Sequence, residues 1–328
     1  MNRLVSGLFL SLLLTIGFLP TSGAASPTAP IEGFVAANGV RLQYLDWGNN
    51  GPALILVHGL GDNPHIFDDL VPAFEDRYHV IAYARRGAGS SEAHGPYDVE
   101  TLTEDLRSLM DALGIKTADL AGHSAGGNEI TELAVRYPDR VRRIVYLDAG
   151  YDWGDPDFKI ACDALPFTAF DIPANAMSSL DAYRTYQRAI WYPQLDDMRR
   201  IEASLREDIV VQPDQSVKTR TPKEVLDAHF DALFGNKPRD YTRVHVPVLA
   251  IYTQHMYDPQ TTNLRLRDKA RTWEQKYWIA FQDKSMERLR NELARVQIVR
   301  VPGVHGSFFL TNRERVVEAM RRFLDASE

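Results

Sequence analysis

Ser124 stands in the run Gly122-His123-Ser124-Ala125-Gly126-Gly127, which matches G-x-S-x-G. A serine hydroxyl is a weak nucleophile until a neighbouring base takes its proton, so its surroundings decide what it can do. The run lies between an apolar stretch that reads as a strand and a stretch that reads as a helix. In that setting the glycines clear Cβ atoms from a sharp turn, and the turn can present the Ser124 hydroxyl. The helix that follows points backbone N–H groups and its positive end at any negative charge forming there. The plainer alternative is a glycine-rich turn with a capping serine.

Two further segments complete the set. His58-Gly59-Leu60-Gly61 follows the apolar run Ala53–Val57 directly. Its backbone N–H at Leu60 can pair with that of Ala125 to hold an oxyanion. Phosphate binding is the rival use of such a loop, but neither a Walker lysine nor a G-x-G-x-x-G is present. His58 itself reads as a structural residue of that loop. Val301-Pro302-Gly303-Val304-His305-Gly306 follows the last strand-like run. An imidazole titrates near neutral pH and suits a general base. Glycines on both sides of His305 let the backbone swing the ring toward Ser124. The seven other histidines, His65, His79, His94, His123, His229, His245 and His255, read as surface or structural.

The elements needed to position these residues follow from patterning. Val40–Asp46 alternates like an edge strand. Ala53–Val57, Val80–Tyr83, Ala118–Ala121, Ile144–Leu147, Val246–Tyr252 and Gln297–Val301 are short apolar runs of the kind buried on both faces of a parallel sheet. Between them, Thr101 with Glu104 reads as a capping box opening a helix that Gly114 closes. A second helix is expected from about Ala125 to Tyr137, ended by Pro138, and a last one from Arg313 to Leu324. Strands separated by helices imply a largely parallel sheet with helices on both faces. About a hundred residues between Leu147 and Val246 break the rhythm. They carry many aromatics, including Trp153, Phe158, Phe167, Phe170, Trp191 and Phe230. A structureless loop of that length is improbable, so a helical insertion over the sheet is expected. Leu264 to Ala294 reads as a second insertion or long helix whose charge density suggests a solvated face.

Composition bounds the rest. The chain has 328 residues, 37 Lys plus Arg and 44 Asp plus Glu, for a formal net charge of −7. That acidic balance argues against a nucleic-acid partner. The single cysteine, Cys162, excludes an intramolecular disulfide and any cysteine-built metal site. The nine histidines show no H-E-x-x-H spacing, and no metal or organic cofactor is expected. Leu4 to Leu19 is an uncharged run preceded by Arg3 and followed by Pro20 and the small residues 21–25. This pattern predicts a secretory signal peptide over residues 1–25, with the mature protein in the periplasm or outside the cell. No cysteine follows to take a lipid, and no stable membrane insertion is expected after cleavage. An uncleaved anchor is the rival reading, although the run is short of the roughly 20 residues that span a bilayer.

The order and spacing of HGLG at 58–61, RRGAGSS at 85–91, GHSAGG at 122–127 and PGVHG at 302–306 resemble the α/β-hydrolase family, from about Ile31 to Leu324. The resemblance implies a mostly parallel, doubly wound α/β sheet with a helical cap between its sixth and seventh strands. The core would take residues 26–149 and 242–328, and the cap residues 150–241. The family's D-x-R-G-x-G-x-S segment is altered, since Ala84 stands where an aspartate is common; that aspartate is not catalytic in the family. A serine at the elbow argues against epoxide hydrolase or haloalkane dehalogenase relatives, which use aspartate there.

A Ser–His pair needs a carboxylate to fix the imidazole tautomer. The family places it after one of two strands, and both places hold an aspartate here. Asp148 ends the run Ile144–Leu147, 24 residues after Ser124, and is the expected acid. Asp258, after Val246–Tyr252, is the alternative, although the turn there reads Thr253-Gln254-His255-Met256. The resemblance implies hydrolysis of a carboxylic ester or lactone of a small, apolar molecule through an acyl-enzyme. The alternatives are a C–C bond hydrolase, a perhydrolase of the haloperoxidase type, or a binding protein that keeps the fold without catalysis.

Overall fold

A computed structural model describes residues 29–326 except 49, 166–171, 236 and 259–263. The leader read at residues 1–25, and Phe167 and Phe170, lie outside the described residues. The first element is a strand that the patterning missed, β1 (Ile31–Ala37). It joins β2 (Val40–Asp46) through Asn38-Gly39, both with positive φ, 47° and 80°. Asn-Gly is the favoured pair for a two-residue hairpin because both positions need that conformation. β1, not β2, is therefore the edge. β3 (Ala53–Val57), β4 (His79–Tyr83), α1 (Val99–Ala112), β5 (Ala118–His123), α2 (Gly127–Arg136) and β6 (Val141–Leu147) follow. The cap segment holds α3 (Pro156–Asp163), α4 (Leu180–Ile190), α5 (Glu202–Glu207), the hairpin β7 (Ile209–Val211) and β8 (Val217–Thr219), and α6 (Lys223–Gly235). It is therefore not wholly helical. The chain returns to the sheet at β9 (Val248–Tyr252), passes through α7 (Leu264–Trp273) and α8 (Ile279–Glu292), and ends with β10 (Val296–Arg300), α9 (Phe308–Thr311) and α10 (Arg313–Leu324).

Eight strands form one sheet in the order β1-β2-β4-β3-β5-β6-β9-β10. From β4 to β10 every pairing is parallel. β3, β5 and β9 are buried at every residue, which explains why they read as continuous apolar runs. Helices cover both faces, and two apolar clusters lie on either side of the sheet. The register is what builds the site. Val57 pairs with Gly122, His123 with Leu147, Leu147 with Ile251, and Tyr252 with Arg300. The residues just past these positions, on five loops, therefore meet at the carboxyl edge of the sheet, where parallel α/β sheets bind ligands.

Two local expectations are corrected. α1 is capped by Asp98, whose side chain accepts the Thr101 N–H at 2.8 Å. Thr101 is thus inside the first turn, and Glu104 pairs with Arg107 instead of reaching back. The stop does occur at Gly114, with φ 70°: the Gly114 N–H bonds to Asp111 O and the Ile115 N–H to Met110 O, a Schellman pattern. The segment from Leu264 onward is not a solvated face. α7 and α8 are joined by a π-helical turn, Glu274–Trp278, and one side of this rod is buried, with Trp273, Trp278, Phe281 and Gln282 turned inward.

Candidate active site

Ser124 follows the last residue of β5 at φ 50°, in the left-handed region that side chains other than glycine avoid. The chain then makes a short 3-10 turn, Ser124–Gly126, before α2 begins. The glycines flanking it are required by contact. A Cβ at Gly122 would sit 2.8 Å from the Gly126 backbone, and one at Gly126 would sit 2.5 Å from Val57 O. Gly59 comes close from the other side, since a Cβ there would lie 3.0 Å from Ser124 Cβ. Leu60 and Ala125 both line the cavity beside Ser124.

His305 Nε2 lies 2.8 Å from Ser124 Oγ, and His305 Nδ1 lies 2.6 Å from Asp148 Oδ2. The three groups form one hydrogen-bonded chain, and Asp148 is the carboxylate that meets the imidazole. Asp258, the alternative acid, instead accepts a hydrogen bond from Gln194 Nε2 at 3.0 Å. The turn that carries it is held by Glu274, whose Oε1 accepts the N–H groups of Met256 and Tyr257 at 2.7 and 3.1 Å. Asp148 is fully buried and sits at φ 48°. Burial pushes its carboxyl toward the protonated form. Hydrogen bonds from His305, Tyr151 and Thr253 outweigh that push and hold the group below the usual aspartate range.

The loop that carries His305 is fixed at its backbone. The His305 N–H donates to His255 O at 2.8 Å, and His123 Nε2–H donates to His305 O at 3.0 Å. Trp153 and Trp278 stand edge-on to the His305 ring at centroid distances of 6.1 and 6.3 Å. His58 is structural, as its position suggested. Burial and the Arg85 guanidinium push its pKa down to about 4, so the ring is neutral. Its Nε2 accepts the Arg85 N–H, and its Nδ1–H donates to Gly59 O. The 85–91 segment serves the scaffold: Arg85 pairs with buried Glu129 of α2, and Arg86 with buried Asp105 of α1. Among the described residues no cluster of three His, Cys, Asp or Glu could hold a metal ion.

A cavity of about 200 Å³ opens over Ser124. The cap supplies much of its wall, including Trp153, Phe158, Trp191 and Phe230, while Tyr257 and Trp273 close other sides. One stretch of wall is acidic. Asp62, from the loop after β3, has its Oδ2 3.3 Å from His123 Nδ1. Asp208, from the cap, accepts Asn63 Nδ2–H at 2.7 Å. Sequence reasoning passed over both, because neither belongs to a motif. Burial, with repulsion from Asp62 and Glu207, pushes the Asp208 pKa up to about 8 despite the bond from Asn63. The folded protein therefore keeps a proton on Asp208 between about pH 4 and pH 8 that the unfolded chain has lost. Stability contributed by this group falls as pH rises through that window and is flat above it. Asp208→Asn, which keeps an acceptor for Asn63, is expected to melt higher than the unsubstituted protein. The gap should widen from pH 4 to pH 8. Thermal unfolding of both proteins across that range checks this, and a pH-independent gap contradicts it.

Residues 52–174 match the model of a family described as alpha/beta hydrolase fold. Among curated proteins, the chain is 30% identical over 204 residues to a putative carbamate hydrolase RutD of Caulobacter segnis. That match covers 60% of this chain and 71% of the relative. It is 32% identical over 131 residues to 3-oxoadipate enol-lactonase 2 of Acinetobacter baylyi, covering 39% of this chain and 49% of that protein. Among solved structures, E-2-(acetamidomethylene)succinate hydrolase superposes with a TM-score of 0.68 at 21% identity. The match covers 90% of this chain and all of that one, a likeness of fold.

Proposed function

This chain belongs to the α/β-hydrolase family, and on that premise we propose that it is a serine hydrolase that cleaves a carboxylic ester or lactone of a small, largely apolar molecule. The observation that carries the reading is the unbroken chain Ser124–His305–Asp148 at 2.8 and 2.6 Å, opening into an aromatic-walled cavity. Ser124 Oγ attacks the acyl carbon while His305 Nε2 takes its proton. The Leu60 and Ala125 N–H groups hold the developing oxyanion, and ionised Asp148 stabilises the imidazolium. His305 then protonates the departing oxygen. A water molecule, deprotonated by the same imidazole, releases the acid and restores the serine. Epoxide opening does not fit, because a serine nucleophile would leave an ether that water cannot readily hydrolyse. The first test is intact-mass measurement after incubation with a fluorophosphonate. One adduct per chain on Ser124 supports an activated serine. A well-folded protein that takes no adduct, and hydrolyses no ester in a panel, overturns the reading.

The acidic wall narrows the substrate. Two similar proteins are named for dicarboxylate-derived compounds, a succinate and an oxoadipate. Here Asp62 and Asp208 face the cavity. Among its described lining residues, the ammonium is that of Lys223, which already ties Asp227 at 2.8 Å. At neutral pH a second carboxylate on the substrate would meet the Asp62 carboxylate, while Asp208, whose pKa is pushed up to about 8, still holds its proton and adds charge only as the pH rises through that value. A neutral acyl ester is therefore expected to show kcat/KM about tenfold or more above that of its ω-carboxylate analogue. Matched p-nitrophenyl butyrate and hemisuccinate esters at neutral pH measure it, and equal values would remove Asp62 from substrate selection.

A further inference from the structure

Asp148 Oδ1 accepts two hydrogen bonds, from the Thr253 N–H at 3.2 Å and from the Tyr151 hydroxyl at 2.7 Å. Oδ2 accepts His305 Nδ1–H and also faces the Thr253 hydroxyl at 2.9 Å. The direction of the Tyr151 bond is imposed from further out. Gln282 Nε2 lies 3.1 Å from Thr253 O, which can only accept, so the amide must turn its NH₂ group this way. The second proton of that NH₂ group goes to Tyr151 Oη at 3.0 Å. With its lone pair so occupied, the Tyr151 hydroxyl is left to donate to Asp148. Both residues are buried, Tyr151 completely, among Trp153, Tyr252, Trp278 and Phe281, and neither lines the cavity. Gln282 belongs to α8, and the π-helical turn before it sets Trp278 and Gln282 four residues apart on the inward face.

We propose that Tyr151 and Gln282 are positioning residues for the catalytic acid: a relay Gln282→Tyr151→Asp148 by which the insertion between β9 and β10 aims Asp148 at His305. The proposal rests on the serine-hydrolase reading above. It gives the α7–α8 rod a task in catalysis although none of its residues in the relay meets the substrate. Removing the Tyr151 hydroxyl takes one donor from a buried carboxylate. The remaining charge then draws more strongly on the imidazole proton, so the base is protonated at a higher pH. The carboxylate, held at fewer points, also keeps the ring less well aimed.

The test uses the full-length protein and p-nitrophenyl butyrate. Tyr151→Phe is expected to lower kcat about tenfold, as for the loss of a hydrogen bond to a charged group, with KM within about twofold. The acid limb of its kcat/KM profile should move to higher pH. Gln282→Met keeps the volume and removes both donors. It should shift the limb in the same direction with a loss of about threefold to fivefold. The double variant should lose less than the product of the two, because one residue acts through the other. If Tyr151→Phe fails to fold, Gln282→Met carries the test alone. Folded variants with an unmoved acid limb, or with losses confined to KM or thermal stability, overturn the proposal. Failure of the unsubstituted protein to label with fluorophosphonate or to hydrolyse esters would instead overturn the serine-hydrolase reading. The two failures are thereby distinct.

Discussion

Ser124→Ala is expected to lower kcat for any good ester by about 10⁵- to 10⁶-fold and to abolish the fluorophosphonate adduct, while the protein stays folded. The size follows from the chemistry. Without Oγ there is no acyl-enzyme, and His305 at 2.8 Å has no hydroxyl to deprotonate. What survives is the oxyanion site and substrate binding, which speed a water attack only modestly. Stability should change little, because alanine keeps the Cβ. The strain of a side-chain residue at φ 50° is common to both forms, and the glycine contacts of the turn are untouched. Parallel measurement of turnover, adduct mass and thermal unfolding separates these effects. Retained turnover in a folded Ser124→Ala protein would refute Ser124 as the nucleophile. Loss of turnover together with loss of folding would mean that the residue supports the elbow.

The parts of this site that the sequence made legible are those that steric crowding forces into a motif. The Ser124 elbow needs glycine at 122 and 126 because backbone from β3 and from the turn itself stands within 3 Å of where a side chain would begin. The parallel strands read clearly because burial on both faces leaves no room for polar alternation. Long-range partners left no such imprint. Tyr151, Thr253 and Gln282 are ordinary residue types, far apart in sequence; β6–β9 register brings Tyr151 and Thr253 to Asp148, and the packing of α8 brings Gln282 to both. α7 and α8 read as solvated from the sequence because the charged residues on their outer side outnumber the apolar ones. Trp273, Trp278, Phe281 and Leu289 are nevertheless buried, and the π-helical turn breaks the regular 3.6-residue spacing by which an inner face is recognised. Asp98, three residues before Thr101, takes the α1 cap because its carboxylate accepts the Thr101 N–H and so starts the helix at Val99. Asn38-Gly39 was a usable signal for β1 that the alternation of β2 obscured.

Asp148→Asn is expected to lower kcat by about 10⁴-fold, whereas Asp258→Asn should stay within about threefold of the unsubstituted protein. Asparagine tolerates φ 48° better than most residues, so the backbone at position 148 should persist. The damage lies in which way the new amide must face. The Thr253 N–H cannot rotate, and the Tyr151 hydroxyl is committed to donation by Gln282, so the amide oxygen has to occupy the Oδ1 position. The amide NH₂ group then falls 2.6 Å from His305 Nδ1, where the carboxylate accepted the Nδ1–H hydrogen bond before. That contact is tolerable only if Nδ1 is the bare nitrogen and the proton sits on Nε2. Nε2–H now points at Ser124 Oγ and cannot take its proton. The enzyme is left folded, with its nucleophile and oxyanion donors in place, but with the wrong tautomer of its base. Asp258 faces Gln194 and has no such leverage on the ring. Single-turnover rates of the two variants against p-nitrophenyl butyrate decide the matter: a large loss in Asp258→Asn with a small one in Asp148→Asn would move the acid to the loop after β9.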